Sequence, residues 1–216
     1  MKAIKVPLLP HFNKNSALDD IAKALDATEA HKIAIAPWPV FGYNPDVFFK
    51  MAYSEDCLLL KYVVIESEIR IVYHRNNDPV YKDSCVEFFI SFGADKAYYN
   101  FEFNCIGTCL AAFGENRANR MFLPAASIDQ IQSSTQLQTK YNSIFQKLIF
   151  WSITLKIPNT VFSHHQFTSL KNLQCRGNFY KCGDNLNTPH FLTWNPIMAP
   201  NPDFHLSAFF GSIEFI

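Results

Sequence analysis

The sequence predicts an all-β fold, a two-sheet antiparallel β-sandwich of the jelly-roll or immunoglobulin-like kind with a short N-terminal helix. Many short apolar segments recur along the 216 residues, only one segment has a helical period, and aromatic residues are numerous (21 Phe, 9 Tyr and 3 Trp). Such a pattern is typical of sheets that pack face to face. We find no repeat or dividing linker, so residues 1–216 are expected to form one domain, with residues 1–30 as a helical N-terminal extension.

Residues 16–30 carry the helical period. Leu18, Ile21, Ala22 and Leu25 are spaced as i, i+3, i+4 and i+7, which places them on one helix face. Ser16 precedes them and is the candidate N-cap.

The remaining segments read as strands. Gly93, Ala94 and Asp95 provide one turn between strands, and Ser54, Glu55 and Asp56 give a hairpin-like spacing. The predicted strands are 47–53, 57–64, 68–73, 85–92, 97–104, 107–113, 127–138, 147–157, 177–183 and 209–216. The stretch 187–202 holds several prolines and is predicted to be loop.

Two adjacent predicted strands each place a carboxylate opposite large apolar groups. Glu87 alternates with Val86 and Phe88, and in the next strand Glu102 and Asn104 alternate with phenylalanines. Glutamate is disfavoured in strands, so the pair indicates either a functional face or an ordinary solvated one.

Three functions fit such a face. Asp83, Glu87 and Glu102 are three candidates for the two carboxyl groups that a glycosidase needs about 5–10 Å apart. The same groups serve a non-catalytic saccharide site, where carboxylates accept hydrogen bonds from hydroxyls and a ring stacks on the sugar. A protein-interaction domain with an aromatic face is the third reading.

The balance of basic and acidic residues limits the classes of binding partner that are expected. Nineteen basic residues match nineteen acidic ones, so neither nucleic acid nor an anionic membrane surface is expected as a partner. No run approaches the roughly 18 apolar residues of a membrane span. The N-terminus lacks a signal-like apolar run, which indicates either a cytoplasmic chain or a trimmed signal.

The six cysteines fall largely in strand-like runs, which favours reduced, buried thiols over three disulfides. Cys175, Cys182, His190 and His205 have spacings that match no common zinc pattern. Nucleotide-binding and hydrolase motifs are lacking as well.

Three stretches of the chain carry a family resemblance: APWPVFGYNPDVFFKMAYSEDCLLLKYVV, VYKDSCVEFFISF with YYNFEFNCIGT, and NFYKCGDNLNTPHFLTWNPIMAPNPDFHLSAFFGSIEF. Together they resemble family 9 carbohydrate-binding modules, particularly the stand-alone bacterial family 9-like proteins, and the similarity covers residues 30–216. The resemblance implies a β-sandwich, no catalysis, structural calcium, and binding of saccharide ends between two tryptophans.

Matched position by position, the resemblance places Tyr81 and Phe204 where the family has its clamping tryptophans. Glu87 matches a glutamate that binds sugar hydroxyls. Glu102 and Asn104 stand where the family presents an arginine and an asparagine, so the arginine is replaced here.

Because both clamp tryptophans are replaced, other aromatic rings are candidate surfaces on which a sugar could stack. Trp194, in a proline-flanked loop, is expected to be more exposed than Trp38, whereas Trp151 lies in a strand and is expected in the core. Arg117 or Arg120 is expected at the edge of the site.

Overall fold

The computed structural model describes residues 1–216 and contains thirteen strands and two short α-helices. The strands are β1 (Ala3–Val6), β2 (His31–Lys32), β3 (Asp46–Tyr53), β4 (Cys57–Glu66), β5 (Cys85–Phe92), β6 (Tyr98–Asn104), β7 (Cys109–Gly114), β8 (Met121–Phe122), β9 (Gln132–Tyr141), β10 (Lys147–Pro158), β11 (Gln174–Cys182), β12 (Phe191–Thr193) and β13 (Gly211–Phe215). The helices are α1 (Leu18–Asp26) and α2 (Ala125–Ile128), and single 3-10 turns span Val80–Lys82, Asn159–Val161 and Ser207–Phe209. Neither α-helix is long or apolar enough to cross a membrane.

The strands form two sheets, which confirms the predicted sandwich. Sheet A runs β1-β13-β11-β5-β6-β7-β8, with β12 paired to β11, and sheet B runs β2-β3-β4-β10-β9. All ladders between strands are antiparallel except that of β1 with β13, which joins the two ends of the chain in parallel.

Alternation along the central strands determines what each face of sheet A meets. Val86, Phe88 and Phe101 point between the sheets, into a core of 37 buried residues. Glu87 and Phe89 point the other way, towards the outer face.

That outer face is covered rather than solvated. A second apolar cluster packs on it; this outer cluster comprises Trp38, Val80, Cys85, Phe89, Tyr98, Leu110, Tyr180, Cys182, Ile197, Phe204 and Phe210. Strands β5 and β6 are therefore buried on both faces, and the excess of aromatic rings fills two layers instead of one.

The N-terminal helix is shorter than predicted. It spans Leu18–Asp26, and Ala17, not Ser16, occupies the N-cap position. Ile21 and Leu25 are fully buried, and they pack with Ala52 on the outer face of sheet B.

The prediction of a strand at 68–73 is wrong. This segment makes no ladder, because the side chain of Asp83 takes the place of a partner strand. The Asp83 carboxylate accepts hydrogen bonds from the backbone N–H groups of Val72 and Tyr73, at 3.0–3.1 Å. The Ser84 hydroxyl accepts the N–H of Arg70.

Candidate functional site

A cavity of about 440 Å³ opens on the outer face of sheet A. Strands β5 and β6 supply its floor, and loops that follow β7, β11 and β12 supply its walls. The lining residues are Tyr81, Glu87, Glu102, Arg117, Arg120, Asp184, Phe191, Pro202, Asp203, Phe204 and His205.

Two glutamates form the floor. Glu87 and Glu102 lie directly opposite each other in the β5–β6 register, and they are 3% and 2% exposed. Burial raises the pKa of Glu87 well above its usual range, and the negative charge of Glu102 raises it further. Oε1 of Glu87 accepts a hydrogen bond from the Cys182 thiol at 3.1 Å. Burial and the neighbouring charge thus both favour the protonated form of Glu87.

Glu102 has one satisfied and one unsatisfied oxygen. Its Oε1 accepts hydrogen bonds from Arg120 at 3.2 Å and from the Asn100 amide at 3.0 Å. Its Oε2 is buried and has no hydrogen-bond partner. Burial raises the pKa of Glu102 to about 7, against the lowering effect of Arg120. A ligand hydroxyl in the cavity would satisfy the free oxygen.

Arg120 is held from its other side by His205. Nη1 of Arg120 lies 2.9 Å from Nε2 of His205, and Nδ1 of the same ring lies 2.9 Å from the Tyr98 hydroxyl. Burial, with the charges of Arg120 and Arg117, lowers the pKa of His205 to about 3. The imidazole is therefore neutral at physiological pH.

Three aromatic rings contribute to the walls. Tyr81 and Phe191 are half-buried, so part of each ring is free to meet a ligand. Phe204 is only 8% exposed, and its ring stacks on Tyr180 with centroids 4.2 Å apart. Phe204 therefore packs against Tyr180 behind the cavity wall and offers little of its own ring face to a ligand.

The rim of the cavity carries charges of both signs. Arg117 is exposed, while Asp184 and Asp203 are half-buried. Burial raises the pKa of Asp184 to about 6, although Arg117 and Lys82 oppose the shift.

The structure brings together most of the residues predicted from the sequence. Tyr81, Glu87, Glu102 and Phe204 line one cavity, and Arg117 and Arg120, of which one or the other was expected at the edge, both line it too.

The expectation that Trp194 is an exposed platform is wrong. Trp194 is 3% exposed, and its ring packs edge-on against Phe49 and Phe179 in the core between the sheets. Trp38 is 4% exposed within the outer cluster, and Trp151 is buried as predicted. A proline-flanked loop does not expose a ring when the loop packs against the sheet.

Asn104 and Asp83 also lie outside the cavity lining. Asn104 is fully buried, and its amide donates to the carbonyl of Tyr73 and to the Asp83 carboxylate. These residues hold the segment 68–73 in place instead of facing the cavity. The assignment of Asn104 to the ligand site, and of Asp83 to acid–base chemistry, therefore disagrees with their placement.

Four polar or aromatic lining residues were missed by sequence reasoning as site residues: Asp184, Phe191, Asp203 and His205. All lie in or beside loops that carry no period or motif. His205 was considered in the cysteine–histidine series that matches no zinc pattern, and its position next to Phe204 was the one available signal.

The side chains that converge well enough to hold a metal ion are Cys85, Glu87 and Cys182. Calcium prefers ligands that are all oxygen, so this thiol-containing group does not fit it. Structural calcium stays a prediction from the family resemblance.

The chain matches one protein family and several solved structures. A family model described as carbohydrate-binding family 9 matches residues 19–215. A solved structure from Bacteroides uniformis, to which carbohydrate binding has been assigned, is 32% identical, with a TM-score of 0.90 and coverage of 100% of this chain and 99% of that one. No curated protein sequence matches the chain significantly.

Two more distant structures share the fold. They are of a family 9 carbohydrate-binding module from Caldicellulosiruptor kristjanssonii, in complex with cellotriose and with glucose. Both are 13% identical, with TM-scores of 0.61 and 0.60; they cover 99% and 100% of this chain, and this chain covers 93% and 96% of theirs.

Proposed function

Because the chain belongs to carbohydrate-binding family 9, we propose that it binds one end of a saccharide in the cavity over sheet A, without catalysis. One observation carries this proposal: the cavity combines a buried acceptor that lacks a partner, Oε2 of Glu102, with the half-buried ring of Tyr81. A sugar offers hydroxyl groups for the first and an apolar ring face for the second.

The size and polarity of the cavity favour a single terminal sugar unit. Its volume of about 440 Å³ includes space that is open to solvent, so the cavity takes the end of a ligand whose remainder extends outwards. A carboxyl group at Glu87 accepts a hydrogen bond and also donates one when it is protonated, Arg120 only donates, and the free oxygen of Glu102 accepts. Hydroxyl groups match such a mixture because each of them both donates and accepts.

Tyr81 and Phe191 are the proposed stacking surfaces. Aromatic contacts of this kind contribute about 1 kcal/mol beyond the burial of area. With few rings available, we expect dissociation constants in the micromolar to millimolar range, equivalent to about −8 to −4 kcal/mol.

A glycosidase is not favoured. A glycosidase needs two carboxyl groups on either side of the scissile bond. Glu87 and Glu102 are adjacent on one floor, and Asp83 is engaged by backbone donors outside the cavity. Binding without bond cleavage fits this arrangement better.

The proposal is tested by calorimetry with glucose, cellobiose, cellotriose and xylo-oligosaccharides. Tyr81→Ala is expected to weaken binding of the best ligand by at least about 10-fold, with little loss of stability, since the ring is half-buried. Tyr141→Ala is the matched control, because Tyr141 is 66% exposed at the end of β9, outside the cavity lining.

Unchanged affinity in Tyr81→Ala would contradict the site, and failure of every saccharide to bind would contradict the function. Release of product from oligosaccharides or aryl glycosides, abolished by Glu87→Gln, would contradict the absence of catalysis.

A further inference from the structure

Two cysteines and one of the floor glutamates converge beneath the cavity. Cys85 on β5 and Cys182 on β11 are directly opposite each other in the ladder. Glu87 lies two residues beyond Cys85, so all three side chains point to the outer face of sheet A. The two Sγ atoms and a carboxylate oxygen of Glu87 all lie within 4.8 Å of one another.

The contacts of these thiols are otherwise weak. Cys182 donates to Oε1 of Glu87 at 3.1 Å, and its other acceptor, the carbonyl of Tyr81, is 3.6 Å away. The Cys85 thiol donates to the carbonyl of Val86, also at 3.6 Å. Cys175 differs: it lies on β11 as well, but it belongs to the core between the sheets.

We propose that Cys85, Cys182 and Glu87 bind one zinc ion, with the fourth coordination position open towards the cavity. Zinc takes thiolate and carboxylate ligands in a tetrahedron whose edges measure about 3.5–3.8 Å at the usual bond lengths. The three ligand atoms lie within 4.8 Å of one another, so coordination requires their separations to change by about 1 Å or less.

The surroundings suit a divalent cation. Zinc binding releases the protons of both thiols together with any proton on Glu87, which leaves a site with two thiolates and one carboxylate. The resulting single negative charge lies near the guanidinium of Arg120, which also faces the cavity. Glu87 lines the cavity and gives the ion a way in from solvent. Three protein ligands with one open position distinguish this arrangement from a closed structural zinc site.

The experiment uses the whole reduced chain without saccharide, so its outcome is independent of the proposed function. Metal is removed with a chelator, zinc is titrated against a chromophoric competitor, and cobalt(II) is added as a spectroscopic probe. The wild-type protein is expected to bind one zinc per chain and to show a near-ultraviolet thiolate-to-cobalt charge-transfer band with tetrahedral d–d bands.

Cys85→Ala and Cys182→Ser are expected to lose at least about 100-fold in zinc affinity, since losing even a group that only orients a ligand costs about 10- to 100-fold. Cys175→Ala is the control and should bind like the wild type. If a variant does not fold, the thiolate-to-cobalt band of the wild-type protein alone tests whether the cysteines bind the metal. Absence of the thiolate band, absence of stoichiometric zinc, or full affinity in Cys182→Ser would overturn the proposal.

Discussion

Arg120 donates a hydrogen bond to Nε2 of His205 across 2.9 Å, and this contact determines the tautomer of the ring. Because a guanidinium can only donate, Nε2 must be the acceptor, and the imidazole proton lies on Nδ1. Nδ1–H then points to the Tyr98 hydroxyl, 2.9 Å away. A relay of three side chains thus positions the guanidinium that also contacts Glu102.

The first prediction concerns acid stability. The folded protein keeps His205 neutral, with a pKa lowered from 6.5 to about 3, whereas the unfolded chain takes up a proton once the pH falls below 6.5. His205 therefore contributes stability that is present above pH 6.5 and is lost progressively between pH 6.5 and pH 3. When the pH is lowered from 7 to 5, the free energy of unfolding should decrease by about 1–2 kcal/mol less in His205→Gln than in the wild type.

Urea denaturation at the two pH values measures this difference. His11→Gln is the control, because His11 is exposed and should leave the pH dependence unchanged. Equal pH dependence in His205→Gln and the wild type would show that the ring titrates in the folded protein as it does in the unfolded chain.

The second prediction is that the Asp83 carboxylate stabilises the fold and does not bind the ligand. Asp83 is fully buried and accepts hydrogen bonds from two backbone N–H groups and the Asn104 amide. Asp83→Ala leaves these donors without a partner, so the free energy of unfolding should drop by roughly 3 kcal/mol or more. Saccharide affinity of the folded fraction should be nearly unchanged. Loss of binding at wild-type stability, in calorimetry and denaturation together, would move Asp83 into the site.

The third prediction concerns Trp194. Its ring is in the core, and a Cβ added at Gly211 would lie 2.5 Å from Cζ3 of this ring, so the packing there is close. Trp194→Ala should cost about 3–5 kcal/mol in the free energy of unfolding, as truncation of a buried aromatic side chain does. Thermal denaturation measures the stability of the variant, and calorimetry with saccharides measures its binding. Near-wild-type stability combined with weaker binding would mean that Trp194 is an exposed platform after all.

Local patterns were enough to predict the centre of the site. Glu87 and Glu102 were placed on one face because side chains in a strand alternate with a period of two, which depends only on neighbouring residues. The β3–β4 and β5–β6 hairpins followed from the short turns at residues 54–56 and 93–95. Tyr81 and Phe204 came from the family resemblance, and both line the cavity.

Features set by distant contacts could not be predicted in the same way. The segment 68–73 has the alternation of a strand, yet the Asp83 carboxylate occupies its hydrogen-bonding groups. The pairing of β1 with β13 joins residues more than 200 positions apart. Nothing in either segment alone specifies such a partner.

By itself, the sequence determined the two-sheet fold, the shared face of Glu87 and Glu102 and the resemblance to carbohydrate-binding family 9, because these depend on strand periodicity and on segments read in order. Only the tertiary structure decided which rings are free, burying Trp194 and leaving Tyr81 half-exposed. It also decided that Cys85 and Cys182 meet beside Glu87. The physical reason is that loops from distant parts of the chain cover the outer face of sheet A, and side-chain exposure there depends on which loops pack on which strands.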